Sequence, residues 1–103
     1  MARLFRSPRA KRDIVEVLGY TRDRWGVAQA RAYRNLIREA LQAIADHPHS
    51  GVVRSAHPGI LSYHIRKPGH EARHILFYRI GPTGVVEVVR LLHDSMDFDQ
   101  HLP

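Results

Sequence analysis

The feature that most constrains this chain is a change of hydrophobic period near its middle. Before residue 47 apolar side chains recur every three to four positions; after residue 60 they alternate. A helical half followed by an extended half predicts helices packed against an antiparallel sheet, an α+β arrangement. The chain has 103 residues, so one domain spanning 1–103 is expected.

The segment Ala2–Arg6, with Leu4 and Phe5, reads as a short strand that meets Ser7-Pro8. A serine hydroxyl can accept from free N–H groups of a first helical turn, and proline at the first helical position loses no hydrogen bond. From there Ala10, Ile14, Val17, Leu18, Thr21 and Trp25 form one stripe expected to be buried. Arg9–Asp13 and Arg12–Glu16 are expected as surface pairs on the other side. Gly26 divides this helix from a second, Val27 to about Asp46. Its inward face is Ala30, Tyr33, Ile37, Ala40, Leu41 and Ile44, and its outward face is Arg31, Arg34, Arg38 and Gln42. One glycine between two amphipathic helices predicts an αα-hairpin, with Trp25 and Tyr33 in its core.

Residues 47–60 are rich in Pro, Gly, Ser and His and carry no period, which is a long connection for a compact domain. Three extended runs follow: Leu61–Arg66, a run around Ile75–Ile80 after a turn at Lys67–Glu71, and Val85–Leu92 after Gly81–Gly84. They predict an antiparallel meander, giving the order β-α-α-β-β-β with a short acidic tail. Strand parity puts Arg73 and Arg79 with Ile75 and Phe77, opposite His74 and Tyr78, and puts Arg90 with Val88 and Leu92.

Charge narrows the partners. Lys and Arg number 16 against 10 Asp and Glu, a net of +6, yet the tail carries Asp94, Asp97 and Asp99 with no basic residue. Such a body attracts polyanions, nucleic acid or an acidic protein segment, although arginine as an ordinary surface residue explains much of the excess. There is no cysteine, which excludes disulfides and thiolate chemistry. No apolar run approaches the roughly 20 residues of a membrane span, and the first residues lack the apolar core of a secretory signal. A cytoplasmic protein is expected. Eight histidines are present, but none are spaced as a helical metal pair, so no metal and no cofactor is expected.

Taken together, several strings resemble the RelE/ParE superfamily of bacterial toxins from type II toxin–antitoxin modules, and its ParE branch in particular. They are Leu4…Ser7-Pro8-Arg9-Ala10…Asp13-Ile14, Tyr20-Thr21…Trp25-Gly26, Ala28-Gln29-Ala30…Tyr33, Pro48…Gly51, Arg73 to Arg79, and Val88 to Asp97. The resemblance implies a strand, an αα-hairpin and an antiparallel sheet. It also implies a toxin held inactive by a ParD-like antitoxin with an acidic amphipathic segment, and a probable target in DNA gyrase rather than a catalysed reaction. The RelE branch instead cleaves mRNA on the ribosome. Against that pattern, Ile75 stands where a strand arginine is expected, and Asp94, Ser95 and Met96 follow His93 without the C-terminal tyrosine. Arg73, Arg90 and His93 remain the alternative nuclease candidates. A third reading is an inactive member that only binds antitoxin. Arg66, Arg73, Tyr78, Arg79, Arg90 and His93 are the candidate contacts with antitoxin or target, and free nucleic acid is not expected as the primary partner. An arginine on an apolar strand face needs a partner; Glu71, Glu87 and Asp97 are the candidates within the fold.

Overall fold

The structure, a computed structural model, describes residues 1–66 and 73–103; the turn expected at Lys67–Glu71 lies outside the described residues. The elements are β1 (Leu4–Arg6), α1 (Pro8–Trp25), α2 (Val27–Asp46), β2 (Val52–Val53), β3 (Leu61–His64), β4 (His74–Ile80) and β5 (Val86–His93). Single 3-10 turns occupy Pro48–Ser50 and Phe98–Gln100. The expected order therefore holds, with one addition: the 47–60 connection contains the two-residue strand β2. The sheet order is β1-β5-β4-β3-β2. β1 pairs parallel to β5, Leu4 opposite Val86, and the other pairs are antiparallel.

Ser7 starts α1 as its chemistry demands. Its Oγ accepts from Ala10 N–H at 3.0 Å and donates to the Val89 carbonyl at 3.0 Å, while its N–H donates to the Val88 carbonyl. The helix thus begins halfway along β5 and is tied to it. Gly26 turns the chain at φ +97°, a conformation that favours glycine, and α2 returns to end where Ala45 carbonyl accepts from Ala2 N–H.

The sheet is covered on both faces. Toward the helices, Leu76, Tyr78, Val86, Val88 and Leu91 pack with Ala10, Ile14, Ile37, Ala40 and Ile44. On the other face Phe77, Val89 and Leu92 pack with Ile60, Ile75, Phe98 and Leu102, so the acidic tail folds back through its aromatic and leucine side chains. Burial of this apolar area contributes on the order of 25 cal/mol per Å².

Two expectations fail for one reason. Phe77 lies opposite Arg90 while Tyr78 lies opposite Val88, so Val89 is an extra residue, a β-bulge. The bulge breaks strict alternation. Val88 faces the helices, Leu92 faces away, and Arg90 cannot share a face with both. Its partner is likewise Asp13 and not Glu87 or Asp97, Glu71 lying outside the described residues. Asp13 is itself no surface residue, being only 5% exposed. No helix among the described residues is long and apolar enough to cross a membrane.

Candidate functional site

Where α1 begins determines where it ends. Eighteen helical residues span about 27 Å. The four steps from Val89 to His93, the end of β5, span about 14 Å. Asp13, one and a half turns in, meets Arg90 and Leu91, so helix and strand run alongside in the same direction. The last two turns of α1 therefore overhang the sheet by roughly 13 Å. The stripe read from the sequence is present, but its burial fades along it: Ala10 is fully buried, Val17 and Thr21 half-buried, and Trp25 is 64% exposed. Placing Trp25 in the core is thus corrected. Arg24 lies over its ring at 5.7 Å.

Beneath the overhang is an open groove of about 800 Å³. Val17, Tyr20, Thr21 and Trp25 of α1 form one wall, and Gln29, Ala32, Tyr33 and Leu36 of α2 the other. The strand ends close it with Arg73, His74, His93, Ser95 and Met96. Tyr20 and Met96 are exposed at its rim.

The floor is polar and ordered. Tyr33 Oη lies 2.6 Å from His74 Nδ1, with the rings 5.4 Å apart. His93 packs edge-on to His74 at 5.3 Å. Burial, reinforced by the neighbouring His93, lowers the His74 pKa to about 4, so its imidazole is neutral at physiological pH. Burial likewise pushes the Tyr33 phenol up to about 12. A neutral hydroxyl hydrogen-bonded to a neutral imidazole is a stable pair, and neither is poised for proton transfer near pH 7. His93 Nδ1 is occupied locally, 2.7 Å from Ser95 Oγ. Arg73 Nε donates to Asp94 Oδ1 at 3.2 Å while the arginine remains exposed.

The six sequence candidates separate. Arg73 and His93 meet in the groove. Arg66 is exposed just past β3, its Nη2 3.5 Å from His64 Nδ1. Arg79 donates to Glu87 at the other end of β4, about 17 Å along the strand from His74. Arg90 is held inside the fold. Its Nε and Nη2 donate to the two carboxylate oxygens of Asp13 at 2.7 and 3.1 Å, and Nη1 donates to the His101 carbonyl at 3.1 Å. Tyr78 is corrected as a contact candidate, because it is fully buried. Its hydroxyl donates to the Pro48 carbonyl at 2.7 Å and accepts from Gly51 N–H, pinning the 47–60 connection. The alternative nuclease set of Arg73, Arg90 and His93 is thus not one cluster. Among the described residues no three His, Asp or Glu side chains converge as metal ligands.

Sequence reading missed Tyr20, Trp25 and Met96 as surface, and His74 as a groove residue. The available signal was the length of the α1 stripe, which continues to the very end of the helix.

The architecture is an overhanging helical hairpin on a five-stranded mixed sheet, with a groove under the overhang. A solved chain described as the chromosomal ParDE TA system from P. aeruginosa superposes with a TM-score of 0.76 over 90% of this chain and 96% of that one, at 16% identity. Sequence carries the assignment further. Residues 4–98 match the family described as ParE toxin of type II toxin-antitoxin system, parDE. Toxin ParE1 of Mycobacterium tuberculosis is 36% identical over 102 residues, 98% of each chain. Toxin ParE1 of Caulobacter vibrioides is 34% identical over 100 residues, 93% of each. This chain belongs to the ParE toxin family.

Proposed function

We propose that the chain is the toxic component of a parDE module, that it acts in the cytoplasm by inhibiting DNA gyrase without catalysing a reaction, and that a ParD-like antitoxin neutralises it through the groove. The observation that carries this reading is the unfinished apolar stripe. Val17, Tyr20, Trp25 and Met96 present apolar surface that no described segment covers, in an open groove of about 800 Å³ suited to the apolar face of an amphipathic segment. An acidic residue on that segment would meet Arg73, whose only charged partner among the described residues is the half-buried Asp94. A non-enzymatic action is supported by the fate of Arg90, which is bound to Asp13 and unavailable to a phosphate.

The test is direct. The purified chain is added to a gyrase supercoiling assay and to ribosome-bound mRNA. Loss of supercoiling with intact mRNA is expected, and restoration by the antitoxin. Codon-position cleavage would sink the gyrase reading in favour of the RelE-like alternative. Silence in both assays, with tight antitoxin binding, would identify an inactive member.

A further inference from the structure

On the far side of α2 from the groove, Arg31, Arg34 and Arg38 recur at three- and four-residue spacing. At 100° per residue they fall within about 60° of one another, a straight stripe about 10 Å long. All three are exposed, and none forms an ion pair with any described residue. By contrast, Arg9, Arg22, Arg73, Arg79 and Arg90 each have a carboxylate within 4 Å. Beside the stripe lie Asn35, Gln42 and the exposed Glu39, which pairs with none of the three arginines, and Gln42 is engaged with Asp46.

We propose that this stripe is a sequence-independent contact for the phosphate backbone of duplex DNA. Three features select that occupant. A folded protein partner needs an apolar anchor at the centre of its interface, and the one exposed large apolar residue on this face among the described residues, Val27, stands at the end of the stripe, one turn before Arg31. Single-stranded nucleic acid is held by aromatic platforms on which bases stack, and the face carries no aromatic ring. The major groove of duplex DNA admits a helix, whereas that of duplex RNA is too deep and narrow. Guanidinium groups suit phosphate because they can bind it with two parallel hydrogen bonds. The contact is secondary and weak, consistent with free nucleic acid not being the primary partner. Because stripe and groove lie on opposite sides of α2, a segment seated in the groove leaves the stripe clear. The inference does not depend on gyrase being the target.

The experiment is fluorescence anisotropy of a labelled 24-bp duplex titrated with the full chain at 50–200 mM salt. Three phosphate contacts give a slope of log K against log salt of about −2.7, about a 40-fold loss across that range. The triple variant Arg31→Gln/Arg34→Gln/Arg38→Gln is expected to lose that slope, and each single variant about a third of it. The control variant Arg3→Gln/Arg6→Gln/Arg12→Gln removes equal charge from other exposed positions and is expected to keep most of it. The proposal is overturned if the duplex fails to bind at 50 mM salt or if the control loses as much as the stripe variant. Equally tight stripe-dependent binding of a polyglutamate peptide or an unstructured RNA would also overturn it.

Discussion

Replacing Asp13 with alanine tests how the hairpin is attached to the sheet. Asp13 is 5% exposed and accepts three hydrogen bonds, two from Arg90 and one from Leu91 N–H at 3.0 Å. Alanine leaves the Arg90 guanidinium, whose side chain is 12% exposed, with only the His101 carbonyl. It also leaves a buried N–H without an acceptor. Breaking one side of a buried ion pair costs about 3–5 kcal/mol, and the orphaned amide lies within that range rather than adding fully to it. A loss of about 4 kcal/mol corresponds to a fall in Tm of roughly 15–30 °C for a chain of this size. Arg90→Met alone should cost less, about 1–3 kcal/mol, because Asp13 keeps the Leu91 amide and has Arg9 at 3.7 Å. The double variant Asp13→Leu/Arg90→Met, apolar on both sides, should cost less than the two single losses together. Thermal and urea denaturation of the unsubstituted chain, Asp13→Leu, Arg90→Met and the double variant close a double-mutant cycle, with a coupling of about 1–3 kcal/mol expected. Additive losses, or an Asp13→Ala cost below about 1 kcal/mol, would refute the claim that this pair locks α1 onto β5.

Gly51→Ala places a Cβ 2.9 Å from Tyr78 Cζ and nearer still to its hydroxyl. It should cost about 1–3 kcal/mol by thermal denaturation, with part regained in Gly51→Ala/Tyr78→Phe, which removes the clashing oxygen. His74 adds a pH dependence. Folded, it protonates near pH 4 rather than 6.5, so between those values the unfolded chain takes up a proton that the folded one refuses. Stability should therefore fall as pH drops from about 6.5 toward 4 and be indifferent to this group above 6.5; urea midpoints at pH 7 and 5 should converge in His74→Asn. Trp25→Ala should change stability by less than about 0.5 kcal/mol, since the ring is exposed. If Trp25 anchors the antitoxin, the same change should weaken antitoxin binding by about 30-fold or more in calorimetry.

What could be read from the residues, and what could not, divides along physical lines. Ser7-Pro8 and Gly26 state helix boundaries through local chemistry, and α2 falls on Val27–Asp46 as the period predicted. The role of Asp13 was hidden because its i,i+4 arginine offers a sufficient local partner, while its stronger partner lies 77 residues away. The Val89 bulge was hidden because both strand faces are apolar there, so alternation carries no register. Trp25 illustrates a third kind of limit. Its position on the apolar stripe was legible, but burial depends on where the sheet stops, and that is set by Ser7 docking halfway along β5. At the candidate site, Arg73 and His93 were legible as chemistry. Their convergence with Tyr33 and Trp25 was not.

The parallel pairing of the first strand with the last has a consequence for how the protein is made. Leu4 waits for Val86, so a ribosome must add roughly 80 residues, about 4–16 s of synthesis, before β1 has its partner. β5 also carries the Asp13 anchor and the centre of both apolar layers, so no shorter nascent chain can close the sheet or fix the hairpin above it. The groove, which needs Arg73, His74, His93, Ser95 and Met96, comes into being only after the C-terminal third has emerged. Translation itself therefore imposes a delay before the groove can exist.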